Sequence, residues 1–63
     1  IKMTDKEWTK RLYNNLGIVN ERLAEANPAQ KEEKLNLARQ YYRKALELDG
    51  EYAVAKSNLD RID

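Results

Sequence analysis

Ala-Arg-Gln-Tyr-Tyr-Arg-Lys-Ala-Leu-Glu-Leu-Asp, residues 38–49, is the stretch that decides the fold. With the residues just before it, this stretch places apolar side chains on two flanks of a helix, covering about half of the circumference. One flank carries Leu35, Ala38, Tyr42, Ala45 and Leu46, and the other carries Leu37, Tyr41 and Leu48. Such a helix is contacted from two sides, which predicts a neighbouring helix on each.

Helix-breaking residues and capping signals divide the chain into three helices. Thr4 and Glu7 form a T-x-x-E capping box, which predicts a first helix over about residues 4–25. The sequence Asn27-Pro28-Ala29-Gln30 supplies an N-cap, a proline at the first helical position and a glutamine at the third. These signals start a second helix over about residues 28–49.

The third helix is predicted over about residues 51–62. Gly50 suits the left-handed conformation just past a helix C-terminus, and Glu51 begins the next helix. Its apolar residues, spaced 3, 4 and 3 apart, form one stripe of Tyr52, Ala55, Leu59 and Ile62.

The first helix also carries one narrow apolar stripe, within about 80° of arc at 100° per residue. Its members are Trp8, Leu12, Leu16, Val19 and Leu23. We expect this stripe to face the core, with Trp8 at its head. Because no run of residues alternates as a strand would, and because the connections are short, the prediction is an all-α protein. It is a three-helix antiparallel arrangement, a helical hairpin plus a capping helix, forming one domain over residues 1–63.

Composition excludes several functions. The 63 residues include no Cys and no His, which removes disulfides, thiolate metal sites and the commonest general base. We therefore expect no enzymatic activity, no cofactor and no metal. Twelve basic and eleven acidic residues give a net charge of +1, so we expect neither nucleic acid nor a membrane as partner. The lack of a long apolar run and of signal-peptide features predicts a cytoplasmic protein.

Residues 38–49 resemble the second helix of a tetratricopeptide repeat, whose pattern is A-x3-F/Y-x2-A-L-x-L-x-P. Residues 13–17, Tyr-Asn-Asn-Leu-Gly, are similar to the W-x2-L-G of the first repeat helix, and Asn58-Leu59 repeats the Asn-Leu pair. The resemblance covers roughly residues 10–63. It implies a fragment of a right-handed superhelix, with Gly17, Ala38 and Ala45 where paired helices approach closely.

The sequence also departs from the repeat pattern. Gly17 and Ala38 are 21 residues apart, nine more than is usual, so both hairpin helices should be about a turn longer. Asn20 replaces an aromatic residue and Gly50 replaces proline. Lys56 and Asp60 occupy positions where a following helix would pack, so the third helix is expected to cap the stack.

The resemblance implies a non-catalytic interaction module that binds a peptide or helix of another protein in a groove between the first and third helices. The groove positions correspond to Arg11, Asn14, Ile18, Glu21 and Arg22 on the first helix and to Val54, Ser57, Asn58 and Arg61 on the third. Ile18 lies about 80° from the apolar stripe among polar residues, and Val54 faces away from its own stripe in the same manner. These two aliphatics are either partner contacts or isolated surface residues.

A second interpretation is that the chain is structural. It would then be a self-associating segment that forms a homo-oligomer, or an engineered helical protein without a ligand. A domain of this size has a marginal core and gains much from dimerisation.

Overall fold

The computed structural model of this protein describes residues 5–63, and these form three α-helices. Helix α1 spans Asp5–Ala26, α2 spans Lys31–Leu48 after a short 3-10 turn at Pro28–Gln30, and α3 spans Ala53–Ile62. The described residues contain no strand. The prediction of an all-α fold with three helices is confirmed. The helix ends agree within two residues, except that α2 begins at Lys31, three residues later than predicted, because Pro28–Gln30 form a 3-10 turn. Thr4 of the predicted capping box lies outside the described residues.

Helices α1 and α2 form an antiparallel hairpin, and α2 packs against both α1 and α3. At one end of the hairpin, the Lys10 ammonium near the start of α1 lies 2.6 Å from the carboxylate of Asp49, just after α2. The rings of Tyr13 and Tyr41 stack with their centroids 6.1 Å apart. Helix α3 returns along α2, so that the Arg39 guanidinium donates a hydrogen bond to the carbonyl of Ile62.

The core is built from small residues around a single large one. Its buried apolar side chains are Ala24, Ala38, Tyr42, Ala45 and Ala55. Tyr42 is fully buried, and its ring lies against Gly17 so closely that a Cβ there would stand 2.5 Å from a ring carbon. The expectation of a close helix approach is therefore confirmed at Gly17, and Ala38 and Ala45 are fully buried.

The predicted core stripe of α1 faces outward, and this prediction is wrong. Trp8 is 64% exposed, and Leu12, Val19 and Leu23 are 55%, 50% and 39% exposed. Only Leu16 is half-buried. Helix α1 instead packs through a face that carries Asn14, Gly17, Asn20, Glu21 and Ala24.

Contact distance and hydrogen bonding explain this choice of face. Only the glycine side of α1 lets its backbone approach the ring of Tyr42. The polar residues on that side are buried at low cost because each has a bonding partner. Asn20, for example, donates to the carbonyl of Leu16 at 2.8 Å. Within residues 5–63, no buried side-chain nitrogen or oxygen lacks a hydrogen-bond partner.

The turn between α2 and α3 is closed by an aspartate. No described glycine has a positive φ, so the predicted left-handed conformation of Gly50 is wrong. Asp49 instead accepts a hydrogen bond from the backbone N–H of Glu51 through its side chain, and one from the N–H of Tyr52 through its carbonyl. An Asx turn of this kind removes the need for a left-handed residue. Helix α3 consequently begins at Ala53, two residues later than predicted.

Replacing Gly17 with alanine should destabilise the protein although alanine favours a helix. The added Cβ would overlap the buried Tyr42 ring, and relieving such overpacking costs typically about 1–3 kcal/mol of unfolding free energy. The matched control is Gly50→Ala, whose Cβ would meet only the carbonyl of Leu46 at 3.9 Å. Urea denaturation measures both variants, and equal stabilities would contradict the close packing of α1 on α2.

The ion pair between Lys10 and Asp49 should make stability fall in acid. The hydrogen bond from Lys10 lowers the pKa of Asp49, so the carboxylate stabilises the fold above its ordinary pKa of about 3.9. That contribution is lost as the pH falls through the lowered pKa. Asp49→Asn keeps the side-chain acceptor for Glu51 but removes the charge. Thermal melts should show a gap between wild type and variant at pH 6 that narrows below about pH 4; a gap independent of pH would contradict this assignment.

Candidate functional site

An open depression lies between α1 and α3, with a volume of about 260 Å³. Its lining residues are Ile18, Glu21, Arg22, Glu25 and Arg61. Four of these five belong to the predicted groove, and the structure brings them together from the two expected helices. Glu25 was not among the predicted residues, although it lies one turn after Glu21 and two turns after Ile18 on the same side of α1.

The wall of this groove is a network of hydrogen bonds that connects α3 to α1. The Arg61 guanidinium donates to both carboxylate oxygens of Glu21, at 2.8 and 2.9 Å. It also donates to the Asn58 side-chain oxygen at 3.0 Å. Asn58 in turn donates to the side-chain oxygen of Asn14 at 3.0 Å. The polar network therefore spans two turns of α1 and one turn of α3, and it connects the two helices directly.

Glu21 is the centre of this network. Its side chain is buried, and it accepts a 2.5 Å hydrogen bond from the hydroxyl of Tyr42 in addition to the bonds from Arg61. Burial, and then the hydrogen bond to Glu21, raise the pKa of Tyr42 well above its ordinary value, so its hydroxyl stays protonated and donates. A carboxylate this buried is tolerated because the Arg61 guanidinium pairs with it and the Tyr42 hydroxyl adds a further hydrogen bond.

The predicted site residues fall into two groups. The polar atoms of Asn14, Glu21, Asn58 and Arg61 are already bonded to one another in the free chain. The second group remains available to a partner. It contains Ile18, which is half-buried, and the exposed residues Arg11, Arg22, Val54 and Ser57. Binding by any of these residues stays a prediction.

Helix α3 is held to the hairpin at both ends. At its start, the Lys10 ammonium lies 4.7 Å from the centroid of the Tyr52 ring. At its end, the Asp63 carboxylate lies 3.6 Å from the guanidinium of Arg39 and 3.5 Å from that of Arg43. Because Val54 is in the first turn of α3 and Arg61 in the last, the groove side of this short helix is presented as one surface.

Residues 5–63 contain no cluster of three or more acidic, histidine or cysteine residues that could hold a metal ion. In the same segment, no helix has both the length and the apolar character that crossing a bilayer requires.

No protein-family model, curated protein or solved structure matches this chain. The likeness to tetratricopeptide repeats therefore rests on the sequence pattern alone.

Removing the Tyr42 hydroxyl tests the network directly. Tyr42→Phe keeps the ring against Gly17 but takes one donor from the buried Glu21, and a hydrogen bond to a charged group contributes about 1.5–3 kcal/mol. We expect a loss of unfolding free energy in this range by chemical denaturation. Tyr41→Phe is the matched control, since Tyr41 is only partly buried and stacks on Tyr13. A smaller loss at Tyr42 than at Tyr41 would contradict the network.

Proposed function

We propose that this chain is a non-catalytic protein–protein interaction module of tetratricopeptide type, with α1 and α2 as the repeat hairpin and α3 as its cap. The module binds a peptide or a helix of another protein in the groove between α1 and α3. The observation that carries this proposal is the depression at Ile18, an aliphatic residue bordered by Arg22, Glu25 and Arg61.

The groove suits a partner segment that carries both an aliphatic side chain and an acidic group. Its lining contains two arginines and two glutamates around one isoleucine, so its formal charge is zero. Arg61 is neutralised by Glu21, whereas Arg22 is exposed and has no such buried partner. An aliphatic side chain of the partner packs on Ile18, and an acidic group of the partner pairs with Arg22. Exposed Val54 and Arg11 extend the contact along α3 and α1.

The hydrogen-bond network supports binding by holding the groove in one shape. Asn14, Asn58, Glu21 and Arg61 connect the two helices through side chains that are already ordered. A preorganised surface loses little conformational entropy when a partner binds. A depression of about 260 Å³ accommodates only one or two side chains, so we expect weak, transient binding.

A peptide library displayed on phage tests the proposal, with the immobilised chain as target. We expect selected peptides to contain an aliphatic residue next to an acidic one. Ile18→Glu should weaken their binding about tenfold or more, because it places a charge on the apolar contact. Arg22→Glu should act in the same direction through repulsion of the acidic group.

Leu12→Glu is the matched control, since it introduces the same charge at an exposed aliphatic position of α1 outside the groove. Circular dichroism checks that each variant keeps its helices. Selected peptides that bind Ile18→Glu and the wild-type chain with equal affinity would contradict the groove assignment.

A further inference from the structure

Five apolar side chains of α1 form an outward-facing surface, which we name the α1 stripe: Trp8, Leu12, Leu16, Val19 and Leu23. All except Leu16 are exposed large hydrophobic residues. Their combined exposed area is roughly 400 Å², within the range of about 300–600 Å² that the largest patch of a monomer covers and that is often functional. No described part of the chain covers this surface, because α2 and α3 lie on the other side of α1.

We propose that the α1 stripe binds the α1 stripe of a second copy of this chain, with the two helices antiparallel. The spacing of Leu12, Leu16, Val19 and Leu23 is 4, 3 and 4 residues, and it reads the same from either end. An antiparallel copy therefore places Leu12 opposite Leu23 and Leu16 opposite Val19, and the same pairs recur by symmetry. This is the self-complementarity that a two-fold interface requires.

The residues next to the stripe fit this register. Trp8 of each copy lies level with Asn27 of the other, so its indole covers the exposed end of the opposite helix. Arg11 points about 110° away from the centre of the seam, so it stays in solvent.

The size of the surface sets the strength of the pairing. The stripe extends over about 22 Å of helix, from Trp8 to Leu23. Two such stripes bury about 800 Å² of apolar side chain, which is less than the roughly 1,000 Å² of a stable interface and is typical of a weak, transient one. The dimer therefore forms reversibly and depends on protein concentration. Ile18 lies about 120° around α1 from the centre of the stripe, so pairing leaves the groove accessible.

Sedimentation equilibrium from micromolar to millimolar concentration tests this proposal. We expect the mass to rise from 7.4 kDa toward twice that value. The emission of Trp8, the only tryptophan, should shift to the blue over the same concentrations. Leu12→Glu and Val19→Glu should each raise the dissociation constant at least tenfold.

Val54→Glu is the matched control, because Val54 is 51% exposed but lies on α3, and it should leave the dissociation constant unchanged. Circular dichroism verifies that the variants fold. A strict monomer at every concentration would overturn the proposal, and the α1 stripe would then be a binding surface for a different protein. An unchanged dissociation constant for Leu12→Glu would overturn it as well.

Engineered cysteines test the orientation, since the chain has none of its own. Thr9 of one copy lies level with Ala26 of the other in the antiparallel register. A mixture of Thr9→Cys and Ala26→Cys chains should therefore form the mixed disulfide under oxidation. Ala26→Cys alone should form none, because its two copies lie about 25 Å apart along the helices. Efficient cross-linking of Ala26→Cys to itself would overturn the antiparallel arrangement.

Discussion

The contact between the Tyr42 ring and the backbone at Gly17 is the constraint on which the rest of this structure depends. It brings α1 and α2 to a separation that only a glycine allows, and it points the Tyr42 hydroxyl at Glu21. The hydrogen bond from that hydroxyl in turn positions Glu21 to receive both nitrogens of Arg61. One buried aromatic side chain thus determines the packing of the hairpin and, through a carboxylate, the position of α3.

The same arrangement explains how so small a protein carries both a groove and an exposed apolar surface. The core uses four alanines and one tyrosine, so most of the large aliphatic side chains of α1 are not needed inside. Polar side chains provide the remaining connection between α1 and α3, and Ile18 lines the depression together with charged residues. The two exposed surfaces of α1 lie on different sides of the helix, so a partner in one leaves the other free.

Much of the fold could be predicted, because helix ends depend on local chemistry. Asn27 and Pro28 marked the break between α1 and α2, and the two-sided apolar pattern of α2 predicted a neighbour on each flank. The resemblance to tetratricopeptide repeats predicted that Ile18, Glu21, Arg22 and Arg61 share one groove, and these four residues line one depression. Glu25 was not predicted. The left-handed conformation predicted for Gly50 is wrong because that prediction considered only the preference of glycine for positive φ. It did not include the hydrogen bond from the Glu51 N–H to the Asp49 side chain, which forms an Asx turn instead.

The sequence by itself determined the number of helices, their approximate ends, the close approach at Gly17, and the absence of cysteine and histidine chemistry. Only the tertiary structure decided which face of α1 is buried. An apolar stripe indicates a surface whose burial is favourable, but it does not show whether that surface packs inside the same chain or against another molecule. Buried polar residues cost little when partners from other helices satisfy them, and Tyr42, Asn58 and Arg61 are brought to Glu21 and Asn14 only by the folded chain.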